Sequence, residues 1–147
     1  MCESRQPEPP LDVDVPRAFD ADPLTRMRMH ALATVASDEA WTDACALTRH
    51  PITTALADQL YRAVGSIGAN LAEGYSRSSA RDRARLYEYA LGSARESREW
   101  YVRARGVLGR TRCLAAIARL NEICRMLVAV LRRAHEDEPG RNARFDF

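Results

Sequence analysis

The sequence contains no lysine; all 22 of its basic residues are arginine. A GC-rich coding bias is the plain reading of that absence. Its chemical consequence holds regardless of origin, because every positive charge is then a planar fork suited to carboxylates or phosphates. Histidine is scarce: His30, His50 and His135 stand apart, with no HExxH pattern and no Cys/His cluster. That excludes the usual zinc arrangements, so no metal ligands and no cofactor site are expected. The four cysteines, Cys2, Cys45, Cys113 and Cys124, form no CxxC pair. They read as free packing thiols, not as a disulfide framework. No apolar run approaches the roughly 18 residues of a membrane span. The opening MCESRQPEPP lacks the apolar core of a signal peptide, making the cytoplasm the default location. Strand-like alternation of any length and internal repeats are missing as well. Gly65-Ser66-Ile67-Gly68 is neither a dinucleotide nor a P-loop fingerprint.

What remains suits one soluble domain: 147 residues, 46% hydrophobic and 29% charged. Charge is unevenly spread. Residues 1–23 carry six acids against two arginines and five of the seven prolines. This stretch is expected to be an acidic, disordered tail, followed by a bundle over 24–137 and a short C-terminal tail over 138–147. The whole chain is +2, so the remainder is +6, a balance compatible with weak nucleic-acid contact.

Four helical segments are expected. In the first, Leu24, Met27, Leu32, Val35, Trp41, Ala44 and Leu47 form an imperfect apolar face, with Ser37-Asp38 as a possible break. Arg49-His50-Pro51 marks its end, because a residue before proline disfavours helix. In the second, Ile52, Leu56, Leu60, Val64, Ile67 and Leu71 form a clean stripe. Gly65 and Gly68 weaken that helix and suggest a close neighbouring backbone, and Gly74 is placed as its left-handed cap. Serines 76, 78 and 79 offer an N-cap for the third helix, with Leu86, Tyr87, Ala90, Ala94, Tyr101, Ala104 and Leu108 as its core face. The fourth starts near Thr111, with Leu114, Ile117, Leu120, Ile123, Cys124, Leu127, Val130 and Leu131 on its apolar side. Amphipathic helices with short links imply an all-α, antiparallel, up-down-up-down four-helix bundle.

SIGANLAEGYSRSS, residues 66–79, places Ser66, Asn70 and Glu73 on one face of the second helix. They suit a chemical site, a helix-ending device or a polar clamp between helices. Gly92, Ser93 and Glu96 form a facing cluster on the third helix. If the chain folds back around Ser76, Gly92 stands level with Tyr61-Arg62, where its missing side chain lets the two backbones approach, and Glu96 lies within reach of Arg62. Without a histidine, nucleophile or phosphate loop at matching spacing, an acid–base site is disfavoured and no catalytic residue is assigned. The preferred reading is a structural latch of Arg62, Ser66, Asn70, Glu73, Gly74, Gly92, Ser93 and Glu96, in which Glu96 pairs with Arg62.

The same residues carry a resemblance. Gln59-Leu60-x-Arg62-Ala63-x-x-Ser66-Ile67-x-x-Asn70-Leu71-x-Glu73-Gly74 resembles the hallmark of bacterial four-helix-bundle proteins first found encoded in intervening sequences of 23S ribosomal RNA genes. Arg77-Ser78, Asp82 and Ala90-x-Gly92-Ser93-Ala94-x-Glu96 continue it in order and spacing. The match is specific over 59–96 and looser from about 24 to 135; the first helix departs most. The resemblance implies a four-helix protomer assembling as a ring-like homopentamer. It also implies kinship with accessory proteins of diversity-generating retroelements, which bind a reverse transcriptase and nucleic acid through a basic surface. No defined biochemical activity comes with the ribosomal-intervening members.

Residues 77–112 hold ten arginines against four acids. At 100° per residue, Arg77, Arg81, Arg85, Arg95, Arg103 and Arg110 fall within about 80° of one another, opposite the core stripe. Such a stripe can neutralise the phosphates of RNA or DNA. Glu88 and Glu99 lie within it, so a solvated face of salt bridges is the competing reading. No base-stacking aromatic platform is evident, and Trp41 and Trp100 read as packing or interface residues. Two functions follow: an oligomeric, non-enzymatic accessory factor touching nucleic acid, or a pure protein–protein module docking on a reverse transcriptase or other enzyme.

Overall fold

The computed structural model describes residues 22–136. The expectations for the two tails fall on 1–21 and 137–147, outside the described residues. Four helices carry the fold: α1 (Arg28–Leu47), α2 (Thr54–Tyr75), α3 (Ala80–Leu108) and α4 (Arg110–Glu136). Short 3-10 turns at Pro23–Arg26 and Pro51–Thr53 precede α1 and α2. There is no strand among the described residues.

Each boundary has a local cause. Asp22 caps the first turn by accepting from the Leu24 amide at 2.9 Å. His50 is extended ahead of Pro51, as a pre-proline residue must be, and Thr53 Oγ1 closes the link by donating to the Leu47 carbonyl at 2.6 Å. Ser79 caps α3 by accepting from the Asp82 amide at 3.3 Å. Gly109 ends α3 at φ 81°, a conformation that excludes most side chains.

Sequence neighbours pack side by side, and α1 closes the ring against α4. Every neighbouring pair runs antiparallel. Gly74 meets Tyr87 and Ser66 meets Ser93 across α2 and α3; Glu39 meets Arg119 and Asp43 meets Arg112 across α1 and α4. The core runs through Leu47, Leu60, Ile67, Leu71, Tyr101, Leu120, Ile123, Leu127 and Leu131, all essentially excluded from water. The fold is the expected all-α four-helix bundle.

The expected face of α1 needs correction. Its buried stripe is Met29, Ala33, Ala36, Ala40, Asp43, Ala44 and Leu47, whereas Trp41 is 53% exposed and Val35 also faces outward. Small side chains let α1 lie close to its neighbours, so the large residues are displaced to the rim. Trp41 there meets Tyr61 edge-on, ring centroids 5.5 Å apart. Ser37-Asp38 does not interrupt the helix. Ile52 is 92% exposed because it sits in the 3-10 turn, out of phase with the α2 stripe, and Leu114 also faces solvent.

The glycines depart from expectation in a consistent way. Gly74 is not a left-handed cap: it lies inside α2 and is buried, and a Cβ there would come within 2.7 Å of the Tyr87 ring. Its role is to admit that ring. Gly65 and Gly92 are exposed, with nothing within 4 Å of an added Cβ, so neither marks a close backbone approach. A Cβ on Gly68 would make ordinary contact with Ala33 at 4.0 Å.

Candidate functional site

Three polar groupings stand out. The first is the expected latch. Ser66 and Ser93 share a hydrogen bond of 3.0 Å between α2 and α3. Asn70 Nδ2 donates to the Ser66 carbonyl at 2.8 Å and its hydroxyl at 3.0 Å, which anchors that serine. Ser97, fully buried, donates back to the Ser93 carbonyl at 2.7 Å. Glu73 pairs with Arg77 in the turn.

The expected Arg62–Glu96 pair does not form part of this latch. Arg62 stands 3.7 Å from Asp58 on its own helix, and Glu96 accepts from Trp100 Nε1 at 3.0 Å. The cause is register. With Ser93 opposite Ser66, Gly92 stands near Ile67, more than a turn from the Tyr61-Arg62 level that a fold-back at Ser76 implies.

The second grouping is the arginine face. Arg81, Arg85, Arg95 and Arg103 are exposed along α3. Arg77 and Arg110 do not extend it: Arg77 lies in the turn before Ser79, and Arg110 opens α4 after Gly109. Constant helical phase therefore fails at both ends of the stripe. The helix-pair bridges expected within it are largely replaced. Arg85 stands 3.9 Å from Asp82, Glu88 faces His135 at 3.6 Å, and Arg103 lies over Trp100 at 5.1 Å. Neither Arg81 nor Arg95 has an ion-pair partner among the described residues.

The third grouping was not singled out in the sequence. Asp43, 4% exposed, accepts from Tyr101 Oη at 2.7 Å and from Arg112 Nε and Nη2 at 2.8 and 2.6 Å. Arg112 also stands 3.6 Å from Glu39, which is held in turn by Arg119 at 2.8 and 3.1 Å. Two carboxylates and two guanidiniums thus tie α1 to α3 and α4, with bidentate geometry at both Arg112 and Arg119. Glu39 and Asp43 are four apart on the alanine face of α1, and Arg112 and Arg119 are two turns apart on α4. That spacing was the available signal, masked because polar residues on a weak apolar face read as imperfection.

Electrostatics at this cluster favour architecture over chemistry. Burial, followed by the Asp43 hydrogen bond, holds the Tyr101 phenol well above its ordinary range. The bond to Asp43 strengthens the charge on Arg112 further. Burial raises Tyr87 and the Cys113 and Cys124 thiols, and lowers His30. Each shift moves the group away from neutrality, the opposite of what acid–base work at neutral pH requires. Among the described residues, no group of three or more His, Cys, Asp or Glu is placed to hold a metal ion. None of the described helices is long and apolar enough to cross a membrane.

No curated protein matches the chain in sequence. A solved structure from Bacteroides thetaiotaomicron, described as a protein with unknown function from the S23 ribosomal protein family, is similar with a TM-score of 0.67 and 19% identity. The match covers 71% of this chain and 98% of that one, and at this identity it speaks to the fold. The sequence profile of the family described as 23S rRNA-intervening sequence protein matches residues 37–129. That span covers more than half of the chain, from within α1 through most of α4, and includes the latch, the arginine face and the buried ion cluster; the chain belongs to the 23S rRNA-intervening sequence protein family.

Proposed function

We propose that this protein is a non-enzymatic, oligomeric accessory or assembly factor that contacts the phosphate backbone of RNA or DNA through α3. The observation carrying this reading is the exposed row Arg81, Arg85, Arg95 and Arg103. From first to last it follows about 33 Å of helix, enough to meet several phosphates. Two of the acids near the row are turned aside, Glu88 toward His135 and Glu96 to Trp100; Glu99 stays exposed between Arg95 and Arg103, and neither Arg81 nor Arg95 has an ion-pair partner among the described residues. Retention of RNA and DNA at low salt tests it. Reversing Arg81, Arg85 and Arg95 to glutamate should abolish retention, and absence of binding at low salt by the native protein would refute the reading.

A second reading rests on a different face. Trp41 and Tyr61 present a half-exposed aromatic pair between α1 and α2. Aromatic residues of this kind are enriched at protein interfaces, which favours a docking module for a partner enzyme such as a reverse transcriptase, without nucleic acid. Self-association into the homopentamer implied by family resemblance draws on the same kind of surface. Light scattering should then report about five protomer masses; a concentration-independent monomer would contradict it.

A further inference from the structure

Of the aromatic residues on α3, three are engaged and one is not. Tyr87 and Tyr101 are buried. Trp100, half-buried, donates its indole N–H to Glu96 and carries the Arg103 guanidinium over its ring. Tyr89 differs. It is 54% exposed, and neither its ring nor its hydroxyl has a partner among the described residues.

Helical phase sets what surrounds that ring. Gly92, one turn on, is exposed with nothing within 4 Å of an added Cβ, so the surface there is an open notch. Its helix neighbours at three and four residues are Glu88, Tyr89, Arg95 and Glu96. The two acids are turned aside, Glu88 toward His135 and Glu96 to Trp100. Tyr89 and Arg95, the latter with no ion-pair partner among the described residues, are left as the flanks of the notch. Arg85 stands two turns before Gly92 and nearly in line with it; its pair with Asp82, at 3.9 Å, is solvent-exposed and weak. Along the helix, Arg85 lies about 6 Å before Tyr89 and Arg95 about 9 Å after it.

A flat ring beside an open floor, with a cation before and after, matches the parts of a nucleotide strand. We propose that Tyr89 stacks on one unpaired base laid over Gly92, with Arg85 and Arg95 on the flanking phosphates, so that the ligand of this face is single-stranded RNA or DNA. The proposal rests on the reading of α3 as a phosphate-binding face and names its substrate class. In a duplex each base is covered by its neighbours and the ring has nothing to stack on, whereas every unpaired base offers a free face. Stacking is also indifferent to Glu99, whose charge interrupts the row for phosphates alone.

Fluorescence anisotropy at low salt tests this with a labelled 20-nucleotide single strand, the duplex made from it, and an abasic strand of equal length. Tyr89→Ala should weaken single-strand binding about tenfold, leave its salt slope unchanged and alter duplex binding less than twofold. Tyr89→Phe should bind as the native protein does. Gly92→Leu, which fills the notch in open space, should also weaken the single strand. The native protein should bind the abasic strand about tenfold more weakly than the intact one, with no further loss in Tyr89→Ala. Single-strand affinity unchanged in Tyr89→Ala, or an equal loss on the duplex, would overturn the stacking site while leaving the phosphate-binding face intact. A changed mass of Tyr89→Ala in light scattering, with single-strand affinity retained, would assign the ring to a contact between copies and overturn it too. Native protein that binds neither probe would refute both readings together.

Discussion

Removing the Asp43 carboxylate is the sharpest perturbation of this bundle. Asp43→Ala deletes the acceptor of three hydrogen bonds, of 2.6, 2.7 and 2.8 Å, from a position 4% exposed. It leaves the Tyr101 hydroxyl without that partner and half of the Arg112 fork unpaired. Breaking one side of a buried pair costs about 3–5 kcal/mol. Arg112 retains Glu39 at 3.6 Å and its side chain is 31% exposed, so the lower end, about 3 kcal/mol, is expected here. For a chain of this length that corresponds to a fall of roughly 10 °C in Tm. Far-UV circular dichroism during thermal and urea unfolding measures both quantities. A loss below about 1 kcal/mol would refute the reasoning, since it would mean that the cluster is no more than a solvated ion pair. A triple variant, Asp43→Leu with Tyr101→Phe and Arg112→Met, separates the causes. Removing all partners together should recover most of the loss. If the triple variant is as unstable as Asp43→Ala, lost packing and not unpaired charge is responsible.

Three further outcomes are expected. Gly74→Ala should destabilise by about 1–3 kcal/mol despite better helix propensity, because its Cβ meets the Tyr87 ring at 2.7 Å and Leu86 Cβ at 3.2 Å. Gly65→Ala and Gly92→Ala, which meet nothing, should each stabilise by about 0.5–1 kcal/mol in the same denaturation assay; a shared sign for all three would be wrong. Stability should also fall with alkali. The Tyr101 and Tyr87 phenols and the Cys113 and Cys124 thiols all titrate higher in the folded chain than their ordinary values of 10.0 and 9.0. Between those values the folded state keeps protons that the unfolded state has released. These groups therefore contribute no pH dependence at neutrality, and above pH 9 each lowers stability by at most about 1.4 kcal/mol per pH unit. Urea titrations from neutral to alkaline pH check the sign, and Tyr101→Phe should flatten the slope. Finally, thiol labelling of the native protein should modify half-buried Cys45 well before Cys113 and Cys124, both buried with raised thiols. Equal rates would contradict the packing.

Legibility in the sequence followed the size of the side chains. α3 and its Ser79 and Gly109 boundaries were readable because large apolar residues, a serine cap and a glycine coincide there. The face of α1 was not, because its buried stripe is mostly alanine, and alanine contrasts too weakly with exposed Val35 and Trp41 to set the phase. The same weakness hid Glu39 and Asp43, whose partners lie on helices far away in sequence. Ser66 and Ser93 lie in the two facing clusters that the spacing picks out, and they meet at 3.0 Å, whereas the Arg62–Glu96 bridge depended on inter-helix register. The turn is set by four residues and the Gly74–Tyr87 contact together, and no spacing within one helix reveals that.

Nucleic-acid binding through α3 is the central claim, and its most direct test is the salt dependence of affinity. Fluorescence anisotropy with labelled single-stranded RNA should give a log–log slope near −3 per protomer for four phosphate contacts, and nearer −3.5 with duplex DNA. Neutralising Arg81, Arg85, Arg95 or Arg103 singly to glutamine should each reduce that slope by nearly one, while Arg62→Gln on α2 leaves it unchanged. Binding with a full slope after all four are neutralised, or no binding at low salt, would contradict the account.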